Sequence, residues 1–114
     1  MVARVWIVRY MPEAEDELGA LPEPERAAMI NADKKLRALG PQLGAPHTSA
    51  VLGIEETLRE LRPRAGRSPW RGLYRRVGQE FLIAAIGPDA EVDRRGFDRA
   101  VRQALDRLEK VEGR

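Results

Sequence analysis

The spacing of apolar residues along this chain predicts its elements before any other property is needed. From Ala3 to Tyr10, Val5 and Ile7 alternate with Trp6 and Val8. That pattern predicts a first strand buried on both faces or nearly so. Pro12 ends it. Glu13 to Leu21, with Leu18 and Leu21 three apart, predicts a short helix whose Glu13, Glu15, Asp16 and Glu17 lie near the favourable end of its dipole. Pro22 and Pro24 then open a longer helix from Glu23 to Leu39, with Met29, Ala32, Leu36 and Leu39 as a core stripe and Gly40-Pro41 as its stop. The two helices predict an αα-hairpin.

Pro41 to Ile54 is loop-rich, with one short apolar piece, Ala50 to Leu52. Thr57 to Ile86 predicts three short strands joined by two turns. In the first, Leu58, Glu60 and Arg62 face one side while Thr57, Arg59 and Leu61 face the other. Pro63 to Pro69 is the first turn, Trp70 to Val77 the second strand, and Gly78 the second turn. Glu80 to Ile86 contains FLIAAI, the most apolar run, and belongs at the sheet centre. Phe97 to Val111 repeats Phe97, Val101, Ala104, Leu105, Leu108 and Val111 at helical spacing. The element order predicts an α+β fold, with the helices against one face of a mostly antiparallel sheet.

Composition narrows the chemistry. A length of 114 residues predicts one domain spanning 1–114, and 43% apolar with 33% charged residues predicts an ordinary folded chain. There is no cysteine, so disulfides, thiol catalysis and cysteine zinc sites are excluded. His47 is the only histidine and reads as an exposed loop residue. No stretch matches a signal peptide or a membrane span, which makes the cytoplasm the expected location.

The net charge is only +2, yet the charges are segregated. Acids cluster early, in EAEDE. Between Leu61 and Gln79 there is no acidic residue, and Arg62, Arg64, Arg67, Arg71, Arg75 and Arg76 all fall there. A sheet face carrying these guanidiniums beside Trp70 and Tyr74 suits a polyanion with stackable bases, so nucleic acid is the first candidate ligand. A solvated basic face is the plain alternative. Adjacent Glu55 and Glu56 point in opposite directions on a strand end and read as solvated turn residues.

The stretch LRELRPRAGRSPWRGLYRRVGQEFLIAAI resembles the RelE/ParE superfamily of bacterial toxins, and within it the HigB-like, phage-derived branch. The matching features are the Leu-x-Glu-Leu-Arg strand at Leu58 to Arg62, a basic turn with glycine, the aromatic-Arg-x-x-Tyr strand at Trp70 to Tyr74, and the apolar strand after it. The resemblance implies a small RelE-like fold with an N-terminal helical hairpin and a C-terminal helix. It also implies the toxin of a type II toxin-antitoxin system: a metal-independent, cofactor-free mRNA endoribonuclease associated with the ribosome. A cognate helix-turn-helix antitoxin would silence it in a toxin–antitoxin hetero-oligomer, without a membrane partner.

In such enzymes the ribose 2′-OH attacks the adjacent phosphate, while protein groups move protons and cations stabilise the developing charge. Residue by residue, the resemblance makes Arg71 the contact to the scissile phosphate, Arg62 a second phosphate contact and Tyr74 a further catalytic candidate. Arg64, Arg67, Arg75, Arg76, Arg94 and Arg95 become RNA-binding candidates. The chain departs from the branch after the apolar strand, where GPDAEVDRRGF replaces a lysine pair. Arginine is a poor proton-transfer group, so Glu60, Tyr74 and His47 remain the acid and base candidates. Two alternatives stay open: a non-enzymatic ParE-like inhibitor of DNA gyrase, and a chain that only binds its antitoxin.

Overall fold

Every residue from Phe81 to Gly87 is buried. A strand achieves that when it has neighbours along both edges and helices across both faces. In the computed structural model, which describes residues 5–112, the order is β1 (Ile7–Tyr10), α1 (Pro12–Gly19), α2 (Glu23–Leu39), β2 (Thr48–Ala50), β3 (Arg59–Leu61), β4 (Trp70–Val77), β5 (Glu80–Pro88) and α3 (Arg94–Glu112). The five strands lie in the order β1-β5-β4-β3-β2, with β1 parallel to β5 and every other pair antiparallel. The expected α+β class holds.

The helices, however, cover both faces of the sheet rather than one. On the α1–α2 side, Met29, Ala32 and Leu36 pack with Leu61, Tyr74, Phe81, Ile83 and Ile86. On the α3 side, Phe97, Val101, Ala104 and Leu108 pack with Leu58, Leu73, Leu82, Ala84 and Ala85. The physical reason lies in β5, whose unbroken apolar run leaves neither face fit for water. A β-bulge opposite Leu73 and Tyr74, which pair with Ala85 and Ile83, sends Ala84 and Ala85 to the same side.

The first strand also differs from expectation. β1 is an edge strand in which Val8 alone is fully buried, while Ile7 is 51% exposed. Ala3 and Arg4 of the expected strand lie outside the described residues. Because β1 pairs with β5 only as far as Ile83, the edge beyond it needs other partners. The Ile86 N–H donates to Glu17 at 3.0 Å and Arg107 donates to the Ala84 carbonyl at 2.8 Å. Glu17 and Arg107 pair with each other at 2.9 Å, so α1 and α3 meet around that edge. A buried backbone group left without such a partner costs roughly 1–3 kcal/mol.

β2 was not legible in the sequence, since three residues cannot establish a period. α3 starts at Arg94 rather than Phe97 because the Asp93 carboxylate caps it, accepting from the Gly96 N–H at 2.9 Å. Among the described residues, no helix is long and apolar enough to cross a membrane.

Candidate active site

The register of the short strands assembles a charged cluster at one end of the sheet. Thr48 pairs with Leu61 and Ser49 with Glu60, and the Arg62 N–H donates to the His47 carbonyl at 2.9 Å, extending the ladder by one residue. Glu60 pairs with Leu73, two residues after Arg71, and Arg71 pairs with Gly87, two residues before Asp89. Strand alternation therefore carries His47, Ser49, Glu60, Arg62 and Arg71 to one face, with Asp89 closing the end.

Arg71 is the hub, and the structure corrects its expected place on the surface. Its side chain is 2% exposed. Nη1 donates to the carbonyls of Ser68 (2.7 Å) and Trp70 (2.9 Å), and Nη2 donates to that of Gly66 (3.2 Å). Glu60 and Asp89 each lie 3.3 Å from the guanidinium. Burial pulls the guanidinium below its ordinary pKa, while Asp89 and Glu60 oppose that shift. Nε is buried without a hydrogen-bond partner among the described residues and faces Glu60 only as an ion pair. With both Nη groups donating to the turn and the side chain shut away from solvent, Arg71 is a clamp rather than a free phosphate contact.

What it clamps is a strained turn. Arg64, Ala65 and Gly66 all have positive φ, at 53°, 55° and 91°. For the two non-glycine residues this conformation costs on the order of 1 kcal/mol or more each, so the surroundings must enforce it. Besides Arg71, Glu25 does so, accepting from Arg64 at 2.8 and 2.9 Å and from Ser68 at 2.8 Å. Those bonds from Arg64 and Ser68 hold the Glu25 carboxyl below its usual range. At Gly66 the positive φ favours glycine, and an added Cβ, 2.6 Å from Arg62 Nη2, would push the Arg62 guanidinium aside. Arg62 thus lies across the turn, with its Nε donating to the Pro46 carbonyl at 3.2 Å.

Glu60 is the half-buried carboxylate at the centre of the cluster. Its side chain is 14% exposed, and Ser49 approaches its second oxygen at 3.5 Å. Burial pushes its carboxyl above the ordinary pKa, with Arg71 and Arg62 pulling the other way. Beside it, His47 Nδ1 is buried and has no hydrogen-bond partner among the described residues. The sequence named Glu60, His47 and Arg62 separately. The meeting of His47 with Arg62 and the place of Ser49 depend on the unforeseen β2, while Asp89 is brought in by the pairing of β4 with β5.

The other expected site residues lie elsewhere. Tyr74 is 2% exposed on the opposite face, hydrogen-bonded to Thr48 at 2.7 Å and packed edge-on against Phe81. Arg75 pairs with Glu112, and Arg76 lies over the Trp6 ring. Arg64 is bound to Glu25, Arg94 stands 3.5 Å from Asp98, and Arg67 and Arg95 are exposed. The expected single arginine face is thus corrected: with both sheet faces covered, the guanidiniums disperse. Among the described residues, no three His, Asp or Glu side chains gather where they would hold a metal ion.

Residues 16–85, which take in β2, β3, β4, most of β5 and all of this cluster but Asp89, match the family model of phage-derived protein Gp49-like (DUF891). The chain belongs to the Gp49-like family. No curated protein matches it. Among solved structures, this Gp49-like chain is similar to a double-arginine mutant of the E. coli toxin RelE in the free state. The TM-score is 0.60 at 15% identity, over 87% of this chain and 97% of that one. It is also similar to a chain of the archaeal RelE-RelB complex from Pyrococcus horikoshii, with a TM-score of 0.55 at 15% identity, over 74% of this chain and 94% of that one. At such identity the likeness is one of fold. The Gp49-like family and the RelE fold together bear out the resemblance read from Leu58 to Ile86.

Proposed function

We propose that this Gp49-like chain is the toxin of a type II toxin-antitoxin pair, acting in the cytoplasm as a metal-independent endoribonuclease on ribosome-bound mRNA. A helix-turn-helix antitoxin partner silences it in a hetero-oligomer. Family membership supports the reading, as does a fold shared with a toxin crystallised in complex with its RelB partner. The observation that carries it is the Glu60 carboxyl, raised in pKa by burial and set between Arg71 and Arg62. A carboxylate whose pKa is shifted toward neutrality is a better general base than an ordinary one.

In this mechanism Glu60 accepts the proton of a ribose 2′-OH as that oxygen attacks the adjacent phosphorus. His47 serves as the acid for the departing 5′-oxygen, leaving a 2′,3′-cyclic phosphate and a free 5′-hydroxyl. Arg62 neutralises the charge that builds on the non-bridging oxygens. Arg71 does not touch the substrate; it positions Glu60 and the turn beneath Arg62. Tyr74 supports β2 from the other face through Thr48.

Primer extension on mRNA from cells briefly expressing the wild type, Glu60→Gln or His47→Gln tests this. New 5′ ends inside coding regions are expected with the wild type, and about 10²-fold fewer or less with either variant. Undiminished cleavage by Glu60→Gln would remove Glu60 from the chemistry. Growth arrest without new ends would point to a gyrase-type inhibitor, and no arrest to a chain that only binds its antitoxin.

A further inference from the structure

On the opposite face of the sheet, away from Glu60, is a groove of about 300 Å³ lined by Gly40, Pro41, Leu43, Arg59, Tyr74, Arg76 and Phe81. Arg59 pairs across the strands with Tyr74, and Arg76 with Phe81. The two arginines are therefore diagonal neighbours on one face, with Cβ atoms about 7–8 Å apart. Each is already oriented through its Nε. Arg59 donates to Thr48 Oγ1 at 3.2 Å, and Arg76 to the Gly78 carbonyl at 3.0 Å. Arg76 also lies 5.0 Å above the centre of the Trp6 ring.

Neither guanidinium is paired with a carboxylate among the described residues, and no acidic side chain lines the groove. Arg64, Arg71 and Arg75 contrast with them, each held by an internal acid. The Nη groups of Arg59 and Arg76 thus form a preorganised, uncompensated pair of forks over an apolar floor of Pro41, Leu43 and Phe81.

We propose that this groove docks a segment of a partner protein that presents an acidic side chain flanked by aliphatic residues. The carboxylate bridges Arg59 and Arg76, and an aliphatic neighbour covers the exposed Pro41 and the 46%-exposed Leu39 beside Gly40. Single-stranded RNA fits less well because it needs open ring faces to stack on. Here Tyr74 and Phe81 are 2% and 5% exposed, and Arg76 occupies the face of Trp6. Apolar surface punctuated by arginine is instead the composition of a protein interface core. That such a partner exists rests on the toxin-antitoxin reading; the chemistry of the groove does not.

The test is fluorescence anisotropy with two labelled probes, a synthetic peptide of three Leu-Glu-Glu-Leu repeats and a twelve-nucleotide oligouridylate. Both are titrated with the wild type and with the Arg59→Gln/Arg76→Gln protein, and a Leu-Gln-Gln-Leu peptide serves as the charge control. Glutamine retains a donor for Thr48, and a thermal melt confirms that the variant is folded; if it is not, Arg76→Gln alone is used. The acidic peptide is expected to bind the wild type, to lose about tenfold or more in affinity to the variant, and to bind only in its glutamate form. Equal affinity for both proteins, or no binding to the wild type, overturns the proposal. A loss confined to the oligouridylate also overturns it and makes the groove a nucleic-acid subsite. Failure of the toxin reading shows separately, as wild-type protein that neither cuts mRNA nor arrests growth.

Discussion

Arg71 and Arg76 stand five residues apart near the two ends of β4, and nothing in their immediate sequence tells them apart. Arg71 turns toward the α3 face, where three carbonyls and two carboxylates enclose it. Arg76 turns toward the hairpin face, where an indole ring and one carbonyl orient it and no acid meets it. The same side chain is a structural clamp in one place and an available cation in the other. What separates them is the number of acceptors that the tertiary fold brings within reach, since a buried guanidinium whose Nη groups already donate to the protein presents nothing to a ligand.

The largest effect should come from breaking the clamp. Arg71→Ala leaves the half-buried Glu60 and Asp89 without their shared cation and releases the left-handed turn. We expect a loss of about 3–5 kcal/mol in urea unfolding, as for removal of one partner of a buried ion pair. A loss below about 1 kcal/mol would mean that Arg71 is no more structural than Arg76.

A second, intermediate effect is read through pH. Burial raises the folded-state pKa of Glu60 above its unfolded value, so between the two values the native state holds more protons than the unfolded one. Stability should then fall as pH rises from about 4.3, the ordinary glutamate value, through the raised one. The Glu60→Gln protein should lack that step. Urea midpoints measured across the range compare the two curves, and parallel curves would show that Glu60 titrates as an exposed acid.

The smallest effect belongs to Arg76→Ala. Losing one exposed cation–π contact should cost no more than about 1 kcal/mol by the same denaturation assay. A loss as large as that of Arg71→Ala would erase the contrast between the two ends of β4.

Local pattern was enough for the elements with a full period of their own. The α2 stripe from Met29 to Leu36, bounded by Pro22 and Gly40, placed that helix from Glu23 to Leu39, as observed. The alternation in Leu58 to Arg62 correctly divided Leu58 from Leu61, which now belong to opposite cores. β2 escaped notice, and with it the meeting of His47 with Arg62 and of Ser49 with Glu60, because a three-residue strand exists only through its pairing with β3.

The sequence by itself determined the α+β class, the bounds of α2 and β4, and the set of charged residues from which a site is built. Those properties follow from local periodicity, capping and chain breakers, which act within a few residues. Only the tertiary structure decided that helices cover both faces, that β1 is an edge, and which arginines are consumed by internal acceptors. Each of those outcomes turns on partners brought close by folding: Arg71 meets Asp89, Arg64 meets Glu25 and Arg107 meets Glu17. No local rule carries information about a neighbour 18, 39 or 90 residues away.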